Sequence, residues 1–244
     1  MPQNIYDDSD FFGEYSQLNR SKHGLEGAPE WPALCAQLPV LKNLNIVDLG
    51  CGYAWFCRYA KEQGAAQVIG IDISEKMIEK AKTMPYASSI NYRGGDMEQL
   101  ALPQSSFNLV YSSLTLHYIE HISALLKNIY NALVPGGYFV FSVEHPIYTA
   151  PIQKNPDWII STSGKKSWPV NHYQQEGERI KNWLGKAVKK QHRTMGTYLN
   201  LLIQQGFTLS HVEEWGPSKE QLATMPELAD ERERPMLLLI GAHR

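Results

Sequence analysis

Asp48, Gly50, Gly52 and Asp72 are the residues whose types and spacing bear most directly on chemistry. Gly50 and Gly52 follow the apolar pair Ile46-Val47, which suits a buried parallel strand. Without a Cβ, the two glycines let the backbone turn sharply and come close to a ligand. The run Gln67-Val68-Ile69-Gly70-Ile71 reads as a second strand, and Asp72 at its end stands where a carboxylate can accept both hydroxyls of a ribose. Strand, glycine turn, helix, strand and acid form the order of a nucleotide-binding half-sheet. A dinucleotide would need a third glycine at position 55, with a helix N-terminus facing the pyrophosphate, and that residue is Trp55. Asp48 would repel a pyrophosphate but suits a cofactor with an ammonium group. The loop therefore favours an adenosine that carries an amino acid, and it argues against a dinucleotide-dependent oxidoreductase.

The run Asp48-Leu49-Gly50-Cys51-Gly52-Tyr53-Ala54, with Asp72 after it, resembles the D-x-G-x-G-x-G motif and the ribose-binding acid of the class I S-adenosylmethionine-dependent methyltransferases; Ala54 stands at the third glycine. Gly95-Asp96-Met97 is similar to the family's adenine-flanking motif. Phe107-Asn108-Leu109-Val110-Tyr111-Ser112-Ser113-Leu114-Thr115-Leu116-His117 resembles the fourth strand and following loop of the ubiquinone/menaquinone-biosynthesis-like (type 11) branch, with Asn108 where Asp is usual. Leu133 to Ser142 resembles a helix end, a Pro-Gly-Gly turn and the fifth strand.

The resemblance implies an α/β fold: a Rossmann-like, seven-stranded, mostly parallel sheet with helices on both faces and an antiparallel C-terminal strand. It also implies an N-terminal helical cap and an insert after the fifth strand. The implied cofactor is S-adenosylmethionine, leaving as S-adenosylhomocysteine, with no metal. Gly50, Cys51 and Gly52 would then offer backbone to the methionine moiety, and Asp48 would hold the loop or the ammonium. Asp72 would take the ribose hydroxyls, with Ile73 and Met77 against the adenine or ribose. Asp96 and Met97 would flank the adenine, Ser112 or Ser113 would present a carbonyl to the ammonium, and Tyr15 and Arg20 of the cap would reach the methionine carboxylate.

A sulfonium methyl is already activated, so the protein mainly aligns an acceptor and excludes water. Where a proton must leave the acceptor, three histidines at the carboxyl ends of strands are candidates. His117 follows the fourth strand, His145 follows the fifth, and His192 opens the helix after the insert. The plain alternative for each is a loop histidine bonded to backbone. His117-Tyr118-Ile119-Glu120-His121 also fits the H-x-x-E-H pattern of a class of zinc peptidases. It follows a buried strand, so its histidines need not share a face; no third ligand is evident and no metal is expected.

The division expected from these signals is a cap at 1–43, a cofactor-binding core at 44–145 and 193–244, and a substrate-binding lid at 146–192. The lid region carries Trp158, Trp168, Tyr173 and Trp183 and a local excess of Lys and Arg, which suits a small acceptor that is anionic or aromatic. Trp168, Tyr173, Lys189, Lys190 and Arg193 are the expected acceptor contacts, set against a merely solvated lid. RNA is a less favoured acceptor, because the whole chain is formally −2 and no RNA-binding module is visible. A second class of function is a non-catalytic protein that binds S-adenosylmethionine or S-adenosylhomocysteine.

The elements that must position these residues are legible in outline. At 244 residues and 43% hydrophobic, the chain can bury one full core. Residues 1–43 suggest one or two short amphipathic helices. Ile122, Leu125, Leu126, Ile129 and Leu133 recur at helical spacing and predict a core-facing helix that ends before Pro135-Gly136-Gly137. Phe207 to Glu213 and Met236 to Gly241 read as the last two strands. No apolar run approaches bilayer length, and the polar start Met1-Pro2-Gln3-Asn4 is unlike a signal peptide. With three cysteines and no CxxC spacing, the expectation is a cytoplasmic protein with reduced thiols. The sequence carries no signal of oligomeric state.

Overall fold

The computed structural model describes residues 3–244; Met1 and Pro2 lie outside the described residues. Five parallel strands come first: β1 (Asn45–Leu49), β2 (Gln67–Asp72), β3 (Asn91–Gly94), β4 (Phe107–Ser113) and β5 (Leu133–Glu144). The insert adds the short pair β6 (Ile159–Ile160) and β7 (Lys166–Ser167), then the hairpin β8 (Gly177–Trp183) and β9 (Lys186–His192). The main sheet is completed by β10 (Thr208–Trp215) and β11 (Leu237–His243), giving the order β10-β11-β5-β4-β1-β2-β3. Only β11 runs against its neighbours. The chain starts in the middle at β1, walks out to β3 and returns to β4, so β1 and β4 flank the switch point where open α/β sheets bind ligands.

Nine helices surround the sheet: α1 (Ser9–Ser16), α2 (Asn19–His23), α3 (Trp31–Cys35), α4 (Trp55–Glu62), α5 (Glu75–Lys82), α6 (Ile122–Ala132), α7 (Pro146–Thr149), α8 (Met195–Gln205) and α9 (Lys219–Thr224), among the described residues. Side-chain alternation along the strands divides the core. Val47, Leu49, Ile71 and Phe139 face α6 and α8, while Ile46, Leu109, Tyr111 and Val140 face α3, α4 and α5. The predicted stripe of α6 is wholly buried, as its period requires. Asp48 falls between Val47 and Leu49, so it points to the α3/α4 face together with Ile46.

The structure refines several expectations. The cap holds three short helices rather than one or two: Gly24, Gly27 and Pro29 separate α2 from α3, and Pro32 falls in the first turn of α3. Residues 134–137, with Gly136 at φ 75°, loop out of the β4–β5 ladder between the pairs Phe107↔Leu133 and Leu109↔Tyr138. His192 does not open the helix after the insert; it ends β9, and Thr194 caps α8. The β8–β9 turn places Leu184 and Gly185 at positive φ, the handedness a two-residue hairpin favours. Among the described residues, no helix is long and apolar enough to cross a membrane.

The cap and the insert are joined. Gln3 donates to the Ala187 carbonyl at 2.8 Å and accepts from the Lys189 amide at 2.8 Å. Lys186 of the hairpin reaches Asp8 and Asp10 at the start of α1.

Candidate active site

The loop after β1 is pinned to the end of β2. The amides of Gly50 and Cys51 both donate to the Ile71 carbonyl, at 2.8 and 3.0 Å, and the Gly52 amide donates to Asp72 Oδ2 at 2.8 Å. Their three N–H groups are therefore spent on the sheet, and the backbone this loop can offer a ligand is its carbonyls. A Cβ on Gly50 would lie 2.1 Å from Thr115 Oγ1, so the loop after β4 can close over β1 only because this residue is glycine. Ala54 adopts the left-handed conformation, with φ 60° and ψ 37°, that its motif gives to glycine. It is fully buried and does not line the cavity, so the departure is felt in backbone conformation rather than in ligand space.

Between this loop, α4 and the cap lies a cavity that is continuous with solvent. Its walls include Tyr15, Arg20, Glu30, Asp48, Gly50, Cys51, Gly52, Tyr53, Trp55 and Ser113. Gly24 at φ 62° lets the cap meet α4, since a Cβ there would stand 2.3 Å from the Trp55 ring. Arg20 binds Glu30 Oε1 at 2.6 Å, whereas Glu30 Oε2, Tyr53 Oη and Trp55 Nε1 are buried without a protein partner. Such groups are costly unless a ligand completes them. Burial pushes the Asp48 carboxyl up to about 7; the Cys57 thiol, donating at 3.3 Å, opposes this and the Asp72 charge adds to it. Two buried carboxylates, one guanidinium and a loop of carbonyls make a lining that can hold the ammonium and carboxylate of an amino acid.

The residues expected around the adenosine gather at the next two strand ends. Asp72 is buried, with Oδ1 on the Ser74 amide at 2.9 Å, and burial raises its pKa against the two amide hydrogen bonds it accepts. The Gly95 amide donates to the Asp72 carbonyl at 3.0 Å, which brings Asp96 alongside. Asp96 accepts from the Glu98 amide at 2.9 Å, Met97 is buried in the core, and Met77 is buried on α5. Ile73 is half-buried, its carbonyl touched by Asn4 of the cap. Ser113 reaches the cavity; Ser112 does not, because its hydroxyl is buried on the Leu49 carbonyl at 2.8 Å. Asn108 accepts from the Asn45 amide at 2.9 Å, tying β4 to β1 at the strand starts, away from the site.

The three histidines separate clearly. His145 is engaged at both nitrogens, by Glu214 at 2.9 Å and by the Ile147 amide at 3.0 Å. His192 is likewise engaged, by Thr149 at 2.7 Å and the Tyr173 carbonyl at 2.9 Å. Neither is placed as a base, which corrects both expectations. His117 is buried, accepts the Glu144 amide at Nδ1 (3.3 Å) and has no protein partner at Nε2. Its pKa falls to about 4, first through burial and then through the charges of Lys190 and Arg193, against Glu144. His121 of the zinc-like pattern is exposed while His117 is buried, so the two do not form a pair. No group of His, Cys, Asp or Glu among the described residues is arranged to hold a metal ion.

The expected acceptor contacts are largely occupied. Lys189 is exposed and pairs with Glu178 at 3.1 Å. Lys190 is buried on Glu144, and Arg193 donates to the Ile119 and Glu120 carbonyls at 2.5 and 2.8 Å. Trp168 donates to the Ile147 carbonyl and packs on Arg234, and Tyr173 accepts the Met195 amide. Lys190, Arg193, Tyr173 and Trp168 tie the insert to the core, while Lys189 pairs within the hairpin; the sequence showed their charge and aromaticity but not their partners. Glu30, Tyr53 and Trp55 were missed as site residues. A glutamate inside the otherwise apolar run Ala28-Pro29-Glu30-Trp31-Pro32-Ala33-Leu34 was the available signal for the first.

Known proteins share this fold. A family model described as a methyltransferase domain matches residues 47–141. An S-adenosylmethionine-dependent methyltransferase from Mesorhizobium loti is 52% identical, with a TM-score of 0.87 over 91% of this chain and 100% of that one. An uncharacterised protein of Haemophilus influenzae is 35% identical over 251 residues, 98% of this chain and 96% of its own length. A malonyl-[acyl-carrier protein] O-methyltransferase of Enterobacter lignolyticus is 30% identical over 110 residues, so the match spans 45% of this chain and 43% of that protein. The chain belongs to the class I S-adenosylmethionine-dependent methyltransferases. Within that class it stands in the type 11 branch, and its cofactor is S-adenosylmethionine, released as S-adenosylhomocysteine.

Proposed function

We propose that the chain transfers the methyl group to a small-molecule acceptor held at the carboxyl ends of β4 and β5, beneath the cap and the β8–β9 hairpin. The observation that carries this reading is the buried, unpartnered Glu30 Oε2 in a cavity that also holds Asp48 and Arg20. In this reading Glu30, Asp48 and the loop carbonyls take the ammonium of the methionine moiety, and Arg20, with Tyr15 beside it, takes the carboxylate. Asp72 takes the ribose hydroxyls, with Ile73, Met77, Asp96 and Met97 around the adenine. When bound, the cofactor supplies a methyl group already activated by its sulfonium; the protein's part is to align the acceptor and keep water out.

Aromatic side chains continue from the cavity toward the hairpin: Tyr15 meets Tyr6 at 5.3 Å and Trp183 at 6.1 Å between ring centres. They support an acceptor with an apolar or aromatic part. The anionic part of the expectation loses its support, since Lys189, Lys190 and Arg193 all have protein partners. The free thiols of Cys35, Cys51 and Cys57 fit a reducing compartment, and the proposal includes a cytoplasmic location.

Calorimetric titration with S-adenosylhomocysteine, with NAD as the control, tests the cofactor assignment. Tight binding of the first and none of the second is expected, with Glu30→Gln weakening it by about ten-fold, the loss of one charge-assisted contact. Equal affinity of the Glu30→Gln protein would remove Glu30 from the site.

A further inference from the structure

Glu144 ends β5 with its carboxylate enclosed: Oε1 is on the Lys190 ammonium, and Oε2 is buried without any partner. Its backbone amide donates to Nδ1 of His117, in the turn after β4. A neutral imidazole that accepts at Nδ1 carries its proton at Nε2, and that N–H has no protein acceptor. The Lys190 ammonium also lies 5.9 Å from the Tyr118 ring centre and 5.2 Å from that of Trp183. Tyr118 and Tyr6 share a hydrogen bond of 3.1 Å, and Tyr6 meets Tyr15 of the cofactor cavity. A continuous aromatic wall thus runs from the cavity to one buried, unpaired carboxylate oxygen and one imidazole N–H that no protein group accepts.

Resting on the methyltransferase reading above, we propose that Glu144 and His117 together recognise a hydroxyl group on the acceptor, and that the reaction is an O-methylation. A hydroxyl donates to Glu144 Oε2 and accepts from His117 Nε2–H through one oxygen atom. An ammonium would satisfy the carboxylate but confront both the imidazole N–H and the Lys190 charge. A carboxylate would satisfy the N–H but meet Glu144. Lys190 already neutralises Glu144, so the uncharged group is the one that leaves no buried charge unpaired. In the transfer, the acceptor oxygen bonds to the methyl carbon as the carbon–sulfur bond breaks and its electron pair stays on sulfur. The hydroxyl proton passes to Glu144 Oε2, which cancels the sulfonium and carboxylate charges and leaves the Lys190 ammonium beside the Tyr118 and Trp183 rings.

The test uses the full chain, ¹⁵N-labelled at histidine and saturated with S-adenosylhomocysteine, and three probes of similar shape: phenol, benzylammonium and benzoate. Phenol is expected to shift the His117 Nε2 resonance, identified by its loss in His117→Gln, while the two ions leave it in place. Glu144→Gln should abolish the phenol shift and keep S-adenosylhomocysteine affinity within about two-fold. Should that variant fold poorly, Glu144→Gln combined with Lys190→Met removes both charges and serves instead. A shift caused by either ion and not by phenol, no shift with any probe, or a phenol shift that survives Glu144→Gln would each overturn the proposal. So would a matching loss of S-adenosylhomocysteine affinity in Glu144→Gln, which would move Glu144 to the cofactor. A wild-type protein that does not bind S-adenosylhomocysteine would instead bring down the cofactor assignment, a distinct failure.

Discussion

Asp72 holds the Gly52 amide at 2.8 Å, so the carboxylate that ends β2 also closes the loop that ends β1. One side chain sets the width of the cofactor loop and, in the proposed site, takes the ribose hydroxyls. Asp72→Ala should therefore weaken S-adenosylhomocysteine binding by about 100-fold, two charge-assisted contacts at the lower end of their usual strength. Asp72→Asn, which retains one acceptor oxygen, should fall between. Calorimetry on the three proteins decides the point, and an unchanged affinity in Asp72→Ala would remove the ribose assignment.

Asp48 links cofactor binding to pH. Its folded pKa of about 7 lies above the unfolded carboxylate value, so the stability it contributes is full below about pH 4 and is lost as pH rises through about 7, up to about 4 kcal/mol. A ligand ammonium placed beside it favours the ionised form. Binding near neutral pH should then release a proton and tighten as pH rises through 7. Calorimetry in two buffers of different ionisation enthalpy measures that proton, and uptake in place of release would contradict the site.

His117 contributes stability of the same kind but of opposite sign in pH. Its folded pKa of about 4 lies below the unfolded value near 6.5, so stability present above about pH 6.5 is lost as pH falls toward 4, by about 3 kcal/mol. Denaturant unfolding of the wild type and of His117→Gln between these pH values isolates the effect, since the Asp48 contribution is common to both. Parallel stability curves for the two proteins would mean that the imidazole is charged when folded.

The cations of the insert should separate into one dispensable and one structural residue. Lys189→Ala removes an exposed ion pair and should change stability by less than about 1 kcal/mol. Arg193→Met frees two carbonyls of the turn before α6 and should cost about 2–4 kcal/mol, read as a fall in Tm. Loss of acceptor use in Lys189→Ala with unchanged Tm would return that lysine to the acceptor site.

Spacing alone carried a large part of this molecule. Asp48, Gly50, Gly52 and Asp72 fixed the β1–loop–β2 unit, because chain direction, steric freedom at glycine and an acid at a strand end are local properties. The α6 stripe and the strand runs fixed the layers in the same way, since a repeat of 3.6 or 2 residues decides which face is buried. Partner choice was not local. The charge of Lys190 was visible in the sequence; that it is spent on Glu144, a residue 46 positions earlier, followed only from folding the hairpin back over β5. Three histidines looked alike until packing engaged both nitrogens of His145 and His192 and left one nitrogen of His117 open. Sequence determined the cofactor, because its motif lies along two adjacent strands. Tertiary structure decided which polar atoms remain unpaired, because every buried donor and acceptor is satisfied or stranded by groups that the chain brings from afar.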